Sequence, residues 1–242
     1  LSIRRQRQMC IRDSSYTTGN PRLEPSQTNI LSLNASYKWL FANIQYIRAK
    51  NSLANITMPY NDDTHPGVLL FSSANLATYN GYSLNLTASP KIGIWQPQFS
   101  ASAQLSAPDG RNLEIEVYHK QPLFAFGWDN SFNLPHGWFL NLQANLHTGG
   151  RMGFFVAHTE GQINARLSKS MLKDNSLTLA LIANDILRTG YYHFNVYGID
   201  SYNGNRIYRD WQRIGIQFSY KFNATKSKYK GTGAGQDEKN RL

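Results

Sequence analysis

The chain has 242 residues, 41% of them hydrophobic and 13% aromatic, with a formal net charge of +10 at pH 7. No run of eighteen apolar residues occurs, which excludes a transmembrane helix. A single cysteine, Cys10, excludes a disulfide framework and a cysteine-rich metal centre.

The charge sits at the two ends. Residues 1–14 carry four Arg and one Asp, and residues 224–242 carry five basic and two acidic residues, so the body between them holds only +4. That is too little to argue for a nucleic-acid partner. The first fourteen residues, LSIRRQRQMCIRDS, share no periodicity with the rest of the chain. Their QMCIRDS portion is similar to translated sequencing-adaptor sequence, so 1–14 is expected to be an assembly artefact and is set aside. It has no apolar core and no small-residue cleavage site, so it does not read as a signal peptide.

From Thr28 onward, apolar and polar residues alternate over about ten positions and a turn signal comes next, again and again. A period of two means strands with one apolar and one polar face. In chain order the apolar faces are Leu31, Leu33, Ala35 and Tyr37; Ala42, Ile44 and Tyr46; Tyr82, Leu84, Leu86 and Ala88; Phe99, Ala101, Ala103 and Leu105. Next come Phe124, Phe126, Trp128 and Phe132, then Leu140, Leu142, Ala144 and Leu146. The series closes with Ile163, Ala165 and Leu167; Leu177, Leu179, Leu181 and Ala183; and Ile214, Ile216, Phe218, Tyr220 and Phe222. This makes nine strands over 15–223.

Soluble sandwiches also alternate, so three further features carry the class. The polar faces are rich in Asn, Gln and Ser, as a wet barrel lumen requires. Aromatics gather at strand ends: Tyr37 with Trp39, Trp95, Phe132 with Trp138, and Tyr220 with Phe222. Connections alternate between short (38–39, 90–96, 134–137, 171–175) and long (51–67, 107–121, 148–157, 189–210), as in outer-membrane barrels with short periplasmic turns and long outer loops. In hydrocarbon every backbone group must be paired, so a spanning sheet must close. Nine is odd, while bacterial single-chain barrels have even strand numbers. The expectation is an all-β, antiparallel transmembrane β-barrel present as a C-terminal fragment, about nine strands of a larger barrel. It is not expected to fold alone, and its C-terminus is expected in the periplasm.

Particular stretches resemble TonB-dependent receptors and their outer-membrane barrel relatives. YTTGNPRLEPSQTNILSLNASY, with Asn20, Pro21, Leu23 and Pro25, resembles the descent from an outer loop into a strand. NSFNLPHGWFLNL at 130–142 and LSKSMLKDNSLTLALIANDILRT at 167–189 resemble successive hairpins, and RIGIQFSYKFN at 213–223 the terminal strand. The resemblance puts the larger barrel at about 22 strands. It implies a Gram-negative outer-membrane receptor that takes up a solute past an upstream plug, energised by a TonB-type coupler. Its partners would be outer-membrane lipid, the plug and the remaining strands. The segment 224–242 departs from members that end at the last aromatic and reads as a basic periplasmic tail. Two alternatives stay open: a non-transport outer-membrane barrel for adhesion or assembly, and a soluble β-sandwich binding module.

The candidate sites are few. Asn141, Gln143, Asn145, Gln162, Asn164, Arg166 and Gln217 face the lumen if the alternation holds, as do Asn34 and Asn85. His65, His119, His147, His158 and His193 fall on long loops or strand tops, and convergence of two or more would suit a metal or metal chelate. Polar residues placed where loops are give the same skew. Tyr191, Tyr192, Tyr197, Tyr202, Tyr208 and Trp211 suit stacking on a sugar or chelate, against the plainer reading of a girdle with loop packing. Glu114 and Glu116 share one strand face but read as solvated loop charge. Gly231, Gly233 and Gly235 lack the adjoining helix that a phosphate loop needs, and Lys226, Lys228 and Lys230 read as solvated tail. There is no nucleophile elbow, no H-E-x-x-H and no Cys/His cluster, so no enzyme, cofactor, catalytic residue or resident metal is expected.

Overall fold

The computed structural model describes residues 15–60, 67–113, 121–172, 174–208 and 210–222. The segments 1–14 and 223–242, with His65, Glu114, Glu116 and His119, lie outside them. The described chain is almost entirely β. Its strands are β1 (Ser15–Thr17), β2 (Gln27–Tyr37), β3 (Leu40–Pro59), β4 (Leu69–Ala88), β5 (Trp95–Asp109), β6 (Leu123–Leu134) and β7 (Trp138–His147). The rest are β8 (Gly150–Met152), β9 (Phe155–Ala157), β10 (Glu160–Met171), β11 (Leu177–Asn184), β12 (Tyr191–Gly198), β13 (Ser201–Tyr208) and β14 (Arg213–Tyr220).

One antiparallel meander dominates, in the order β14-β11-β10-β7-β6-β5-β4-β3-β2. Each of the nine alternating segments read from sequence falls in one of these strands. Among the described residues the order is open, with β2 and β14 at its two ends. Directly paired residues share a face, so the register tests the alternation. One row runs Ala35–Ala42–Leu86–Ala101–Phe126–Leu146 and the next Tyr37–Leu40–Ala88–Phe99–Trp128–Ala144–Ile163. The other face carries the row Asn34–Asn43–Asn85–Ser102–Ala125–His147–Glu160.

The apolar face is not covered. Leu33, Ile44, Leu84, Leu86, Phe126, Trp128 and Leu181 are all exposed. A sandwich would bury this face against a second sheet, so the β-sandwich reading is corrected. The second sheet, β13-β12-β9-β8, is built instead from the two long connections and lies at the strand ends. The one hydrophobic core cluster among the described residues is also there: Ile56, Ala74, Leu76 and Phe154, with Ala54, Met58, Leu113 and Ile199 packed against it. The chain hides apolar side chains at the long-connection end of the strands and displays them along the rest of the sheet. A sheet with oil on one face and water on the other reverses the soluble pattern in this way.

Strand lengths agree with that division. A tilted strand crosses hydrocarbon in about 9–11 residues. β2, β6, β7 and β10 have 11, 12, 10 and 12 residues. β3 and β4 have 20 each, so about half of that hairpin stands clear of any bilayer. Here the sequence reading needs correction: the connection placed at 51–67 is strand as far as Pro59 and again from Leu69. Likewise 148–157 and 189–210 contain β8, β9, β12 and β13.

The short-turn end is built from aromatics and lysines. Trp95 stacks on Phe132 at 6.3 Å, and Tyr220 meets Phe222 edge-on at 4.7 Å. The Lys169 ammonium lies 5.2 Å from the Trp138 ring and donates to the His136 carbonyl, and that of Lys38 lies 5.2 Å from the Tyr37 ring. Lysines of this kind reach from an apolar face toward water. Gly137 turns the β6–β7 connection at φ +75°, where a Cβ would come within 2.9 Å of the Ser170 carbonyl. Two exceptions on the apolar face are explained locally. Asn130, 1% exposed, accepts a 2.9 Å hydrogen bond from the Trp95 indole, which shields it. Pro97 sits where β5 has passed the last β4 partner (Ala88↔Phe99), so its missing donor breaks no ladder on that side.

Candidate functional site

The seven polar candidates occupy one face of the sheet, brought together by register. Asn145 pairs with Gln162, Gln143 with Asn164, and Asn141 with Arg166. Gln217 on β14 joins them across β11, accepting a 3.0 Å hydrogen bond from Arg166 Nη1. Gln162 donates to Asn164 Oδ1 at 3.1 Å. Asn34, Asn43 and Asn85 form a ladder in which Asn43 donates to Asn34 at 2.8 Å and Asn85 to Asn43 at 3.2 Å.

Asp129 organises the centre of this face, and the sequence reading did not single it out. Its two carboxylate oxygens accept from Asn141 Nδ2 at 2.7 Å and from Gln143 Nε2 at 2.6 Å. Asn141 also donates to Ser131 Oγ at 3.1 Å. One carboxylate between two amides is a charge-assisted clamp across β6 and β7. The available signal was an acid flanked by Gly127 and Ser131 on the polar face of its own strand.

A concavity of about 380 Å³ opens over the same face. Its polar lining includes Asn85, Ser102, Asn145, His147, Glu160 and Gln162. His147 Nε2 lies 3.3 Å from Glu160 Oε2, the pair being directly opposed across β7 and β10. A larger concavity of about 1170 Å³ lies along the apolar rows from Tyr37 to Ile163. Size does not make it the solute site, because apolar side chains dominate its lining and its polar members Asn145, Glu160 and Gln162 are shared with the smaller concavity.

Of the histidines, His158 and His193 converge: their rings stack at 3.7 Å and 8°, and the His158 amide donates to the His193 carbonyl at 3.0 Å. Asn195 Nδ2 lies 2.9 Å from His158 Nε2. Burial, then the neighbouring His158 and Arg206, hold the His193 imidazole below its ordinary value of 6.5. His147 is elsewhere, with Glu160. Among the described residues no group of three or more His, Cys, Asp or Glu side chains could hold a metal ion.

The tyrosines pair among themselves. Tyr191 meets Tyr208 at 5.1 Å, Tyr197 meets Tyr202 at 5.3 Å, and Tyr192 packs on Phe194 at 5.0 Å. Asp185, fully buried, accepts from the amides of Thr189 and Gly190, so it closes a turn rather than facing a ligand. Asp109, ion-paired to Arg111 at 2.7 Å, is held down at about 2 by that guanidinium.

The hairpin β12–β13 is docked onto β3. The Ile199 amide and the Ser201 hydroxyl both donate to the Thr57 carbonyl, at 2.8 and 3.0 Å. β9 pairs with β12 through Ala157↔Phe194 and Phe155↔Val196, so the two long connections form one folded cap.

Neither the curated proteins nor the solved structures searched include a match to this chain. The family model described as "Outer membrane protein beta-barrel family" matches residues 10–220, beginning inside the segment set aside as foreign and ending at the last residue of β14. An uncovered apolar sheet face, an opposed amide-rich face and this match over most of the length agree: the chain belongs to the outer membrane protein beta-barrel family.

Proposed function

We propose that the chain forms part of the wall and outer cap of an outer-membrane receptor that takes up a solute, energised through a TonB-type coupler. The observation that carries this reading is the continuous polar face, from Asn34 on β2 to Gln217 on β14, with a folded cap at one end of the strands. A wall with fixed amides, one clamped carboxylate and one His–Glu pair suits passage of a polar solute along water-wet side chains. The cap supplies capture, since loops on a rigid frame vary without disturbing it. In this reading the long connections lie outside the cell and the short turns and C-terminus in the periplasm. The remaining strands of a barrel of about 22 would pair with the edges β2 and β14, because unpaired edges in hydrocarbon cost several kcal/mol per group. A plug would fill the lumen. No catalysis, cofactor or nucleic acid enters this proposal.

The test compares cells with and without the intact gene in a defined mixture of small solutes, tracking depletion by mass spectrometry. The proposal expects gene-dependent depletion of one solute class, abolished by a protonophore. No depletion overturns it. A second reading, adhesion, is favoured by the folded cap itself. It expects removal of 191–208 to abolish surface attachment while depletion is absent throughout.

A further inference from the structure

We propose that the apolar face carries a binding site for one phosphate-bearing, multi-acyl membrane lipid, its headgroup held at the long-connection end by Arg188 and Arg206. The inference rests on the outer-membrane placement of the family, not on solute uptake.

Two independent features meet there. The first is the 1170 Å³ concavity, whose lining is dominated by apolar side chains such as Leu86, Phe126, Trp128 and Ile163. It is open along the sheet and reaches Leu187, Thr189 and Tyr191 at one end. A spanning sheet turns this face to hydrocarbon, so acyl chains are the matter available to fill it. A flat lipid-facing wall would offer no such hollow.

The second is a cationic cluster at that end. Arg206 lies 4.7 Å from the Tyr191 ring, Tyr191 lies 5.1 Å from Tyr208, and Arg188 lies 5.3 Å from the Tyr208 ring. Both arginines are exposed. Among the described residues neither has a carboxylate at ion-pair distance. Two nearby acids are already engaged: Glu160, which also lines the concavity, with His147, and Asp185 with the Thr189 and Gly190 amides. The Tyr208 hydroxyl is buried and, among the described residues, has no partner. Two exposed, forked guanidiniums on aromatic faces, above an oil-lined hollow, fit a headgroup phosphate with its tails below.

The experiment uses the intact barrel protein that contains this chain, in neutral detergent micelles. It is titrated with a bisphosphorylated multi-acyl glycolipid and with the same lipid after phosphatase treatment, and bound lipid is counted by native mass spectrometry. The phosphorylated lipid is expected to bind as a single adduct, about tenfold or more tightly than its dephosphorylated form. Arg188→Gln with Arg206→Gln removes that preference, while Lys38→Gln with Lys91→Gln, both lysines lying in short connections (38–39 and 90–96), leaves it. Equal binding of the two lipids, or binding of neither, overturns the proposal; this comparison needs no variant. Loss of the preference in the lysine pair overturns it as well, because the headgroup would then sit at the opposite end. Solute uptake plays no part in the assay, so these outcomes leave the uptake reading where it stands.

Discussion

Leu84 and Ser83 are neighbours on β4 with opposite fates. Leu84 lies between Ile44 and Ala103 on the apolar face, and Ser83 between Gln45 and Gln104 on the polar face. They are four and five residues from the end of β4 at Ala88, near the middle of a 9–11-residue crossing. An arginine at Leu84 enters hydrocarbon close to its midplane, which costs about 2–4 kcal/mol. That is roughly a 30-fold to 1000-fold loss in the folding equilibrium. An arginine at Ser83 points to a wet, amide-lined surface and costs no more than about 0.5 kcal/mol. The assay is urea titration of each variant folded into lipid vesicles, read by tryptophan emission. Equal destabilisation of the two variants, or a larger loss at Ser83, would refute the assignment of faces.

Three further outcomes rest on particular contacts. Asp129→Ala strips the clamp from Asn141 and Gln143 and is expected to cost about 1–2 kcal/mol, with Asp129→Asn recovering part of it, measured by the same titration. Gly198→Ala places a Cβ against the Thr57 carbonyl and hydroxyl, so β12–β13 is expected to detach from β3 at a cost of about 1–3 kcal/mol. Limited proteolysis between Tyr191 and Tyr208 reads that release. The His158–His193 junction is expected to weaken in acid. His193 titrates below its ordinary 6.5 when paired, so the detached state takes the proton more readily. Pairing is therefore at full strength above pH 6.5 and is lost as the pH falls through the depressed value. Amide exchange at Asn195 and Val196 across that range measures it, and unchanged protection in acid would contradict it.

The sheet was legible because a period of two is unambiguous when one face meets oil. Leu31, Leu33, Ala35 and Tyr37 had to share a face, and the register carries that face across to Ile214 and Ile216. Beyond the bilayer the cue fails. Around Ile56, Ala74 and Leu76 the apolar face of the hairpin is covered by protein, and the opposite side meets the Asn20–Glu24 stretch through Ser73 and Asn75. Alternation therefore loses contrast in 51–59, and strand read as loop. β8 with β9 and β12 with β13 were missed for the same reason, since they pack on each other and on β3 rather than on lipid. The polar candidates were legible as a face but not as a network. That Asp129 ties Asn141 to Gln143, or that Arg166 reaches Gln217, depends on register between strands distant in sequence. The pairing of His158 with His193 likewise required the fold of two separate connections.

The central claim is that one face of the nine-strand meander lies in lipid and the other in water. Nitroxide labels placed singly at each position from Thr78 to Ala88, in protein reconstituted into bilayers, test it most directly. Accessibility to dissolved oxygen should peak at Tyr82, Leu84 and Leu86, and accessibility to a water-soluble nickel chelate at Gly81, Ser83 and Asn85, the two series alternating out of phase. Nickel access at both sets of positions, or no alternation at all, would contradict it.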